Sequence, residues 1–451
     1  MFQIKVKSFL SITVSKLILS LSKIIIKGGS NFPGKIALKI DKNVLLSLTK
    51  GYKIIVVTGT NGKTTTTSNI YNILKDKGVN VITNSTGANM ITGIASCFIE
   101  NYRFGKAKER YAVIEADEAN LTFLTDYVKP EIICITNLFR DQLDRYGEVY
   151  TTLKKILKGV EKSENSKLVL NGDESLLGDL SVPNKVYYYG FEAQVSNDKI
   201  IDINADAKFC KKCKAPYKYN FITYNHLGDY YCDSCGFKRP KLSYFINEIR
   251  EIGSDGSLVL INGKEFYINQ PGVYNIYNAL CAYSAAKILG IDDDTIFNSL
   301  KSQKSKFGRQ EDVVVDNKNI RIILVKNPAG YDQAINTISL SCEDISIALL
   351  LNDNYADGID VSWIWDVKFE NLKDLKIHSL IISGLRLYDM AVRLKISGLD
   401  TDKFKIAETY EKLLEEIKEC ETEKVYVLTT YTAMLSLRKF LLKKGYIKNI
   451  W

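Results

Sequence analysis

The sequence predicts an α/β protein with doubly wound, mostly parallel sheets. Three observations carry that expectation. Short apolar runs alternate with helical stretches from Lys53 onward, and the pattern resumes near Ile320. A glycine-rich loop joins the first of these runs to a helix, where a parallel sheet receives phosphate groups. The chain has 451 residues, too many for one ordinary core, so it divides into two or three domains. Hydrophobic residues at 46% and charged residues at 25% fit a folded chain rather than a disordered one.

The elements follow in order. Phe9 to Ile26 is a largely apolar run that Lys16 and Lys23 interrupt, ending at Gly28-Gly29-Ser30. Leu10, Val14, Leu17, Leu21, Ile24 and Ile25 can share one helical face, which packs on the first domain or lies on a membrane surface. Lys53 to Thr58 is a strand, Thr65 to Lys77 a helix, and Val79 to Thr83 a second strand. Tyr111–Glu115, Glu131–Thr136 and Lys167–Asn171 continue the series. Residues 206–240 break this rhythm and form an inserted module. A helix covers Ile276 to Leu289, and a Rossmann-like segment has strands at Ile322–Val325, Ser346–Leu351, Ser379–Ser383 and Lys424–Leu428. The division is an N-terminal helical segment (1–45), a central domain (46–315) and a C-terminal α/β domain (316–451).

Counting excludes some chemistry. The only histidines are His226 and His378, so a three-histidine metal site is impossible. Lysine and arginine exceed aspartate and glutamate by 61 to 52, and the resulting +9 is too diffuse to argue for nucleic acid. With no secretory signal and no apolar span of about 20 residues, the chain reads as cytoplasmic, with room for a peripheral place at the inner face of a membrane.

Gly59-Thr60-Asn61-Gly62-Lys63-Thr64-Thr65 supplies what a nucleotide triphosphate needs. Glycines allow close backbone approach, Lys63 offers a cation to the β/γ-phosphates, and the Thr64 hydroxyl suits Mg²⁺. Alone, such a loop could also be a tight turn, but the strand before and helix after favour ATP binding.

Read as GTNGKTT, this loop resembles that of the Mur ligase and folylpolyglutamate synthetase superfamily. Further motifs follow in the same order. Glu115, in Ile114-Glu115-Ala116-Asp117-Glu118, is similar to the superfamily's Mg²⁺-binding acid. Thr136-Asn137 with Asp141–Gly147 is similar to its TN…DHLD..HG segment, although Gln142 stands where histidine is common. Gly272, Asn275 and Asn278 match a helix start whose second asparagine contacts adenine, and Phe307-Gly308-Arg309-Gln310 resembles a linker whose arginine faces the nucleotide. The superfamily's D-x-A-H-x-P is here Ile323-Leu324-Val325-Lys326-Asn327-Pro328, so its ribose contacts do not carry over.

Cys210-x-x-Cys213 and Cys232-x-x-Cys235 have zinc-ribbon spacing, and four thiolates leave no open position for a water. A structural Zn²⁺ site is therefore favoured over disulfides or a redox pair. Lys208, Lys211, Lys212, Lys214 and Lys218 keep a nucleic-acid reading open, behind that of a folding staple. Cys97, Cys134, Cys281, Cys342 and Cys420 read as small core residues.

Residues 351–366 carry Asp353, Asp357, Asp360 and Asp366 with Trp363 and Trp365, either as a solvated loop or as a functional one at a strand end. Together with the Cys₄ insertion, this tract resembles the ligase subunits of glutamine-dependent lipid II amidating enzymes within the superfamily. That resemblance implies activation of the D-glutamate α-carboxylate of lipid II by ATP and a GatD-like glutamine amidotransferase partner. It further implies that Asp360 completes the partner's cysteine–histidine pair, with Lys63 and Glu115 serving the ligase step. The rival readings are a stand-alone Mur- or folate-type amino-acid ligase and a zinc-ribbon ATPase that binds nucleic acid.

Overall fold

The computed structural model describes residues 6–25, 31–84, 88–103, 110–140, 149–195, 206–303, 309–341 and 343–449. Gly28 to Ser30, the 141–147 segment, Phe307, Gly308, Cys342 and the side chains of Leu21, Ile24, Ile25 and Arg309 lie outside the described residues.

Helices α1 (Val6–Ile25), α2 (Phe32–Ile40) and α3 (Val44–Leu48) form a first layer. Helix α1 packs on the first domain, though not by its apolar row. The α1 face with Leu10 and Leu17 is exposed, and the buried face carries Ser8, Ser11, Ile12 and Ser15. These small side chains let α1 lie close to α2, with the Ser11 hydroxyl donating to the Ala37 carbonyl at 2.9 Å.

The first sheet begins with β1 (Tyr52–Thr58), followed by α4 (Lys63–Asp76), β2 (Val81–Thr83), α5 (Ile91–Asn101), β3 (Arg110–Glu115), α6 (Asn120–Tyr127) and β4 (Ile132–Ile135). It continues with α7 (Val149–Glu161), β5 (Lys167–Asn171) and β6 (Val186–Phe191). β7 (Lys218–Tyr224) and β8 (Leu227–Tyr231) form a separate antiparallel hairpin, and β9 (Tyr244–Ile252), β10 (Ser257–Ile261) and β11 (Lys264–Ile268) rejoin the sheet. Among the described residues its order is β11-β10-β9-β6-β5-β4-β1-β3-β2, parallel from β2 through β9 and antiparallel at β10 and β11.

Successive strand residues face opposite sides, so each strand feeds two cores. Ile55, Val57, Val113, Ile132 and Val169 meet α4 and α8 (Val273–Ile288) on one side. Ile54, Val56, Ala112, Ile133 and Leu168 meet α5, α6, α7 and the first helical layer on the other. Burial of almost every residue from Asn275 to Ala286 explains why α8 is apolar nearly all round.

After α9 (Asp293–Ser302) the second sheet is built from β12 (Arg309–Val315), β13 (Lys318–Leu324), α10 (Pro328–Ser339), β14 (Ile345–Leu350) and β15 (Ile377–Ser383). It is completed by α11 (Leu387–Ile396), β16 (Phe404–Ala407), α12 (Tyr410–Glu419), β17 (Lys424–Thr429) and α13 (Tyr431–Lys443). Its order is β12-β13-β17-β14-β15-β16, with only β12 antiparallel among the described strands.

Candidate active site

β1 has β3 on one side and β4 on the other, so the strand order reverses there and leaves a crevice at its carboxyl end. Open α/β sheets bind ligands at such switch points. The loop from Gly59 to Gly62 sits there. Gly59 and Gly62 have φ of +119° and +81°, and a Cβ would collide with Thr136 at the first and Asn278 at the second. Neighbouring β4 clamps the loop. The Asn137 carbonyl accepts from Thr60 N–H at 2.9 Å, its side-chain oxygen accepts from Asn61 N–H at 2.8 Å, and the Thr136 hydroxyl donates to the Asn61 carbonyl at 2.7 Å.

Lys63 begins α4 and turns its ammonium back over the loop, donating to the Gly59 and Thr60 carbonyls. It pairs with Glu118 at 3.2 Å, both side chains being largely buried. Burial pushes the Glu118 carboxyl up, and Lys63 and then Lys326 oppose that shift. The Thr64 hydroxyl donates to Glu115 Oε2 at 2.7 Å, while Asn89 donates to Oε1 at 3.1 Å. Asn84 holds the Glu115 backbone by both its N–H and its carbonyl. Octahedral Mg²⁺ places adjacent oxygens about 2.9 Å apart, so the Thr64 and Glu115 oxygens fit a shared ion.

The loop opens into a cavity between the two sheets. Asn278 lines it, with Nδ2 donating to Asn275 Oδ1 at 3.1 Å, and Asn275 in turn donates to the Pro271 carbonyl. Gln310, next to Arg309, lines the same cavity, as do Lys326 and Gln333 from the second sheet's domain. Asn327 Nδ2 bridges to Asn61 Oδ1 at 3.2 Å. Gly59 to Thr65, Glu115 and Asn278 are thus brought together; Asp360 belongs to a different loop. Sequence reasoning missed Asn84, Asn89, Glu118, Tyr224 and Gln333 here. Tyr224 comes from the β7–β8 hairpin of the inserted module, so that module supplies a wall of the cavity.

In the module, the four sulfurs of Cys210, Cys213, Cys232 and Cys235 lie within 4.8 Å of one another. The Cys210–Cys235 and Cys213–Cys232 separations are 3.6 and 3.4 Å, near the roughly 3.8 Å between thiolates around tetrahedral zinc. Each CxxC is followed by a left-handed residue, Lys214 and Gly236, whose own N–H groups return to the carbonyls of Cys210 and Cys232. Burial raises the Cys210 thiol, but the Cys213 and Lys212 N–H groups outweigh it and bring it down to about 6. His226 is no ligand. It is buried with Nε2 2.8 Å from Glu174, and its ring packs on Phe139.

The acidic loop after β14 has divided roles. Asp357 is buried and accepts from Thr432 N–H at 2.8 Å, and Asp353 pairs with Arg386 at 2.7 Å. Asp360 is exposed, with Oδ1 accepting from Ser362 N–H at 2.8 Å. The loop is anchored behind and presents one carboxylate outward.

A phosphate loop at a switch point, an acid beside its threonine and a second α/β sheet closing the cavity define a ligase of the Mur class. Residues 57–286 match the Mur ligase middle domain, and residues 324–434 match the MurT ligase C-terminal domain. The fold is similar to that of a pseudomurein peptide ligase type C from Methanothermus fervidus, at a TM-score of 0.68 and 21% identity, covering 89% of this chain and 80% of that one. Two lipid II isoglutaminyl synthase (glutamine-hydrolyzing) subunits named MurT align over nearly the whole length. The Streptococcus pneumoniae subunit is 41% identical over 93% of this chain and 94% of its own. The Staphylococcus aureus N315 subunit is 35% identical over 87% and 89%. The chain belongs to the MurT family.

Proposed function

We propose that this chain is the ATP-dependent ligase subunit of a glutamine-hydrolysing lipid II isoglutaminyl synthase. The observation that carries the reading is the near full-length similarity to two MurT subunits, spanning both the phosphate loop and the Asp360 loop. A carboxylate does not react with ammonia at neutral pH unless an oxygen is first made a leaving group. An oxygen of the D-glutamate α-carboxylate attacks the γ-phosphorus of ATP, and ADP leaves. Ammonia then attacks the acyl carbon, and phosphate departs to leave D-isoglutamine.

Gly59 to Thr65 would wrap the phosphates, with Lys63 stabilising charge on the transferred group. For that, Lys63 exchanges some of its contacts with Glu118 and the loop carbonyls for phosphate oxygens. Thr64 and Glu115 would hold Mg²⁺, which neutralises charge between the β- and γ-phosphates. Asn278 would meet the adenine, and Arg309 would face the nucleotide. Cys210, Cys213, Cys232 and Cys235 would hold a structural zinc. Ammonia would come from a GatD-like glutaminase subunit, to which Asp360 presents its carboxylate.

The test is a reaction with the purified pair, lipid II, glutamine and ATP, followed by mass spectrometry of the stem peptide. Amidation with release of ADP is expected, and Lys63→Ala should lower it by at least about 100-fold. Full activity in that variant, or no ATP use with lipid II, would refute the reading.

A further inference from the structure

We propose that α1 is a membrane-surface element whose outward face lies on an anionic lipid bilayer. Val6, Leu10, Thr13 and Leu17 are spaced i, i+4, i+7 and i+11, which aligns them along one side of a helix, with Phe9 beside them. Val6 is 85% exposed, Leu10 55% and Leu17 62%. The inward side carries Ser8, Ser11 and Ser15 around Ile12, with Ser8 donating to the Asp41 carboxylate. Apart from Ile12, this polarity is the reverse of a helix held to its domain by an apolar face.

Charge identifies what covers the row. Residues 1–50 contain nine lysines and one carboxylate, Asp41, a net +8 in a chain whose total is +9. Asp41 is buried, whereas Lys7, Lys35, Lys39 and Lys42 are exposed. A second copy of the chain would set like charge against like. An anionic bilayer satisfies both parts of the surface: the acyl boundary takes the valine, leucine and phenylalanine side chains, and the headgroup phosphates take the lysines. Among the described residues no helix is long and apolar enough to cross a membrane, so the contact is in the plane of the interface.

This inference does not depend on the ligase reading, because lipid vesicles without substrate test it. The full chain is sedimented with vesicles of mixed phosphatidylglycerol and phosphatidylcholine, and with vesicles of phosphatidylcholine alone. Binding to the anionic vesicles is expected, at least about tenfold weaker on the neutral ones and weakened by salt. Leu10→Glu/Leu17→Glu should lose it while keeping the helical content and unfolding midpoint of the wild type. Lys35→Glu/Lys39→Glu, which leaves the apolar row intact, should weaken it by at least about tenfold, and it decides the matter should the leucine variant unfold. A wild type that binds neither vesicle overturns the proposal. So does equal binding to both vesicles, or binding that the lysine variant leaves unchanged. A wild-type dimer without vesicle binding, which Leu10→Glu/Leu17→Glu turns into a monomer, would also overturn it.

Discussion

Glu174 and His226 have no solvent exposure and stand 2.8 Å apart, joining the inserted module to the loop after β5, where Glu174 also accepts from Leu138 N–H at 3.2 Å. Burial alone would push the His226 imidazole down, but the Glu174 carboxylate overrides it and holds the ring above its ordinary value. A raised folded value means the pair's contribution is complete below about pH 6.5 and is lost as pH rises through that higher value. Glu174→Gln keeps the shape and removes the charge. It should cost about 2 kcal/mol near pH 6, with the gap to wild type narrowing at higher pH. Urea unfolding across pH 6 to 9 measures this, and a constant gap would show that the charge is immaterial. Such a pair was illegible in the sequence, because 52 residues separate its members and only the fold brings them together. Lys63 and Thr64 could be picked out because phosphate chemistry constrains them at fixed spacing, whereas Glu115 rested on the resemblance to the superfamily. Glu118 lay unread three positions beyond Glu115, since nothing local says which acid of the group faces the lysine.

At the scale of elements, periodicity located α1 and left open which of its sides turns inward. Apolar spacing tells which residues share a face, but a row of serines can be the inward side when close helix packing needs small residues. The strands were easier to read, because runs such as Ile132–Ile135, buried on both faces, stay apolar throughout. The β7–β8 hairpin shows the limit of reading the Cys₄ module as a staple alone. Its Tyr224 lines the cavity beside the phosphate loop, and the Thr223 hydroxyl next to it is 2.6 Å from Tyr277 of α8. Loosening the knuckles should therefore be felt at the cavity. If the four cysteines hold zinc as proposed, Cys232→Ser is expected to lose it, to expose residues 206–240 to protease and to weaken ATP binding by about tenfold. Metal analysis, limited proteolysis and calorimetric titration with ATP are the measurements. Zinc loss with unchanged ATP affinity would leave the module a staple and nothing more.

At the scale of the whole molecule, the two sheets enclose the cavity beside the phosphate loop together, while Asp360 stands on a separate loop of the second sheet's domain. That loop is held by Asp357 and Asn352, whose partners lie at the start of α13, and its outward carboxylate is already oriented by the Ser362 N–H. Such an arrangement suits a group that acts on another subunit. A chain with two histidines, one buried against Glu174 and the other 3.3 Å from Asp344, has no cysteine–histidine pair for glutamine hydrolysis among its described residues. The proposed division of labour has a measurable consequence. A carboxylate that orients a partner's histidine is worth about 10²–10⁴-fold in such relays, through the tautomer it fixes. Asp360→Asn should therefore lower glutamine-dependent amidation by that order, while amidation driven by added ammonium salt stays within about twofold of wild type. Parallel assays of the assembled pair with the two nitrogen sources decide it. If both rates fall together, Asp360 serves the ligase step or the assembly of the subunits rather than the hydrolysis of glutamine.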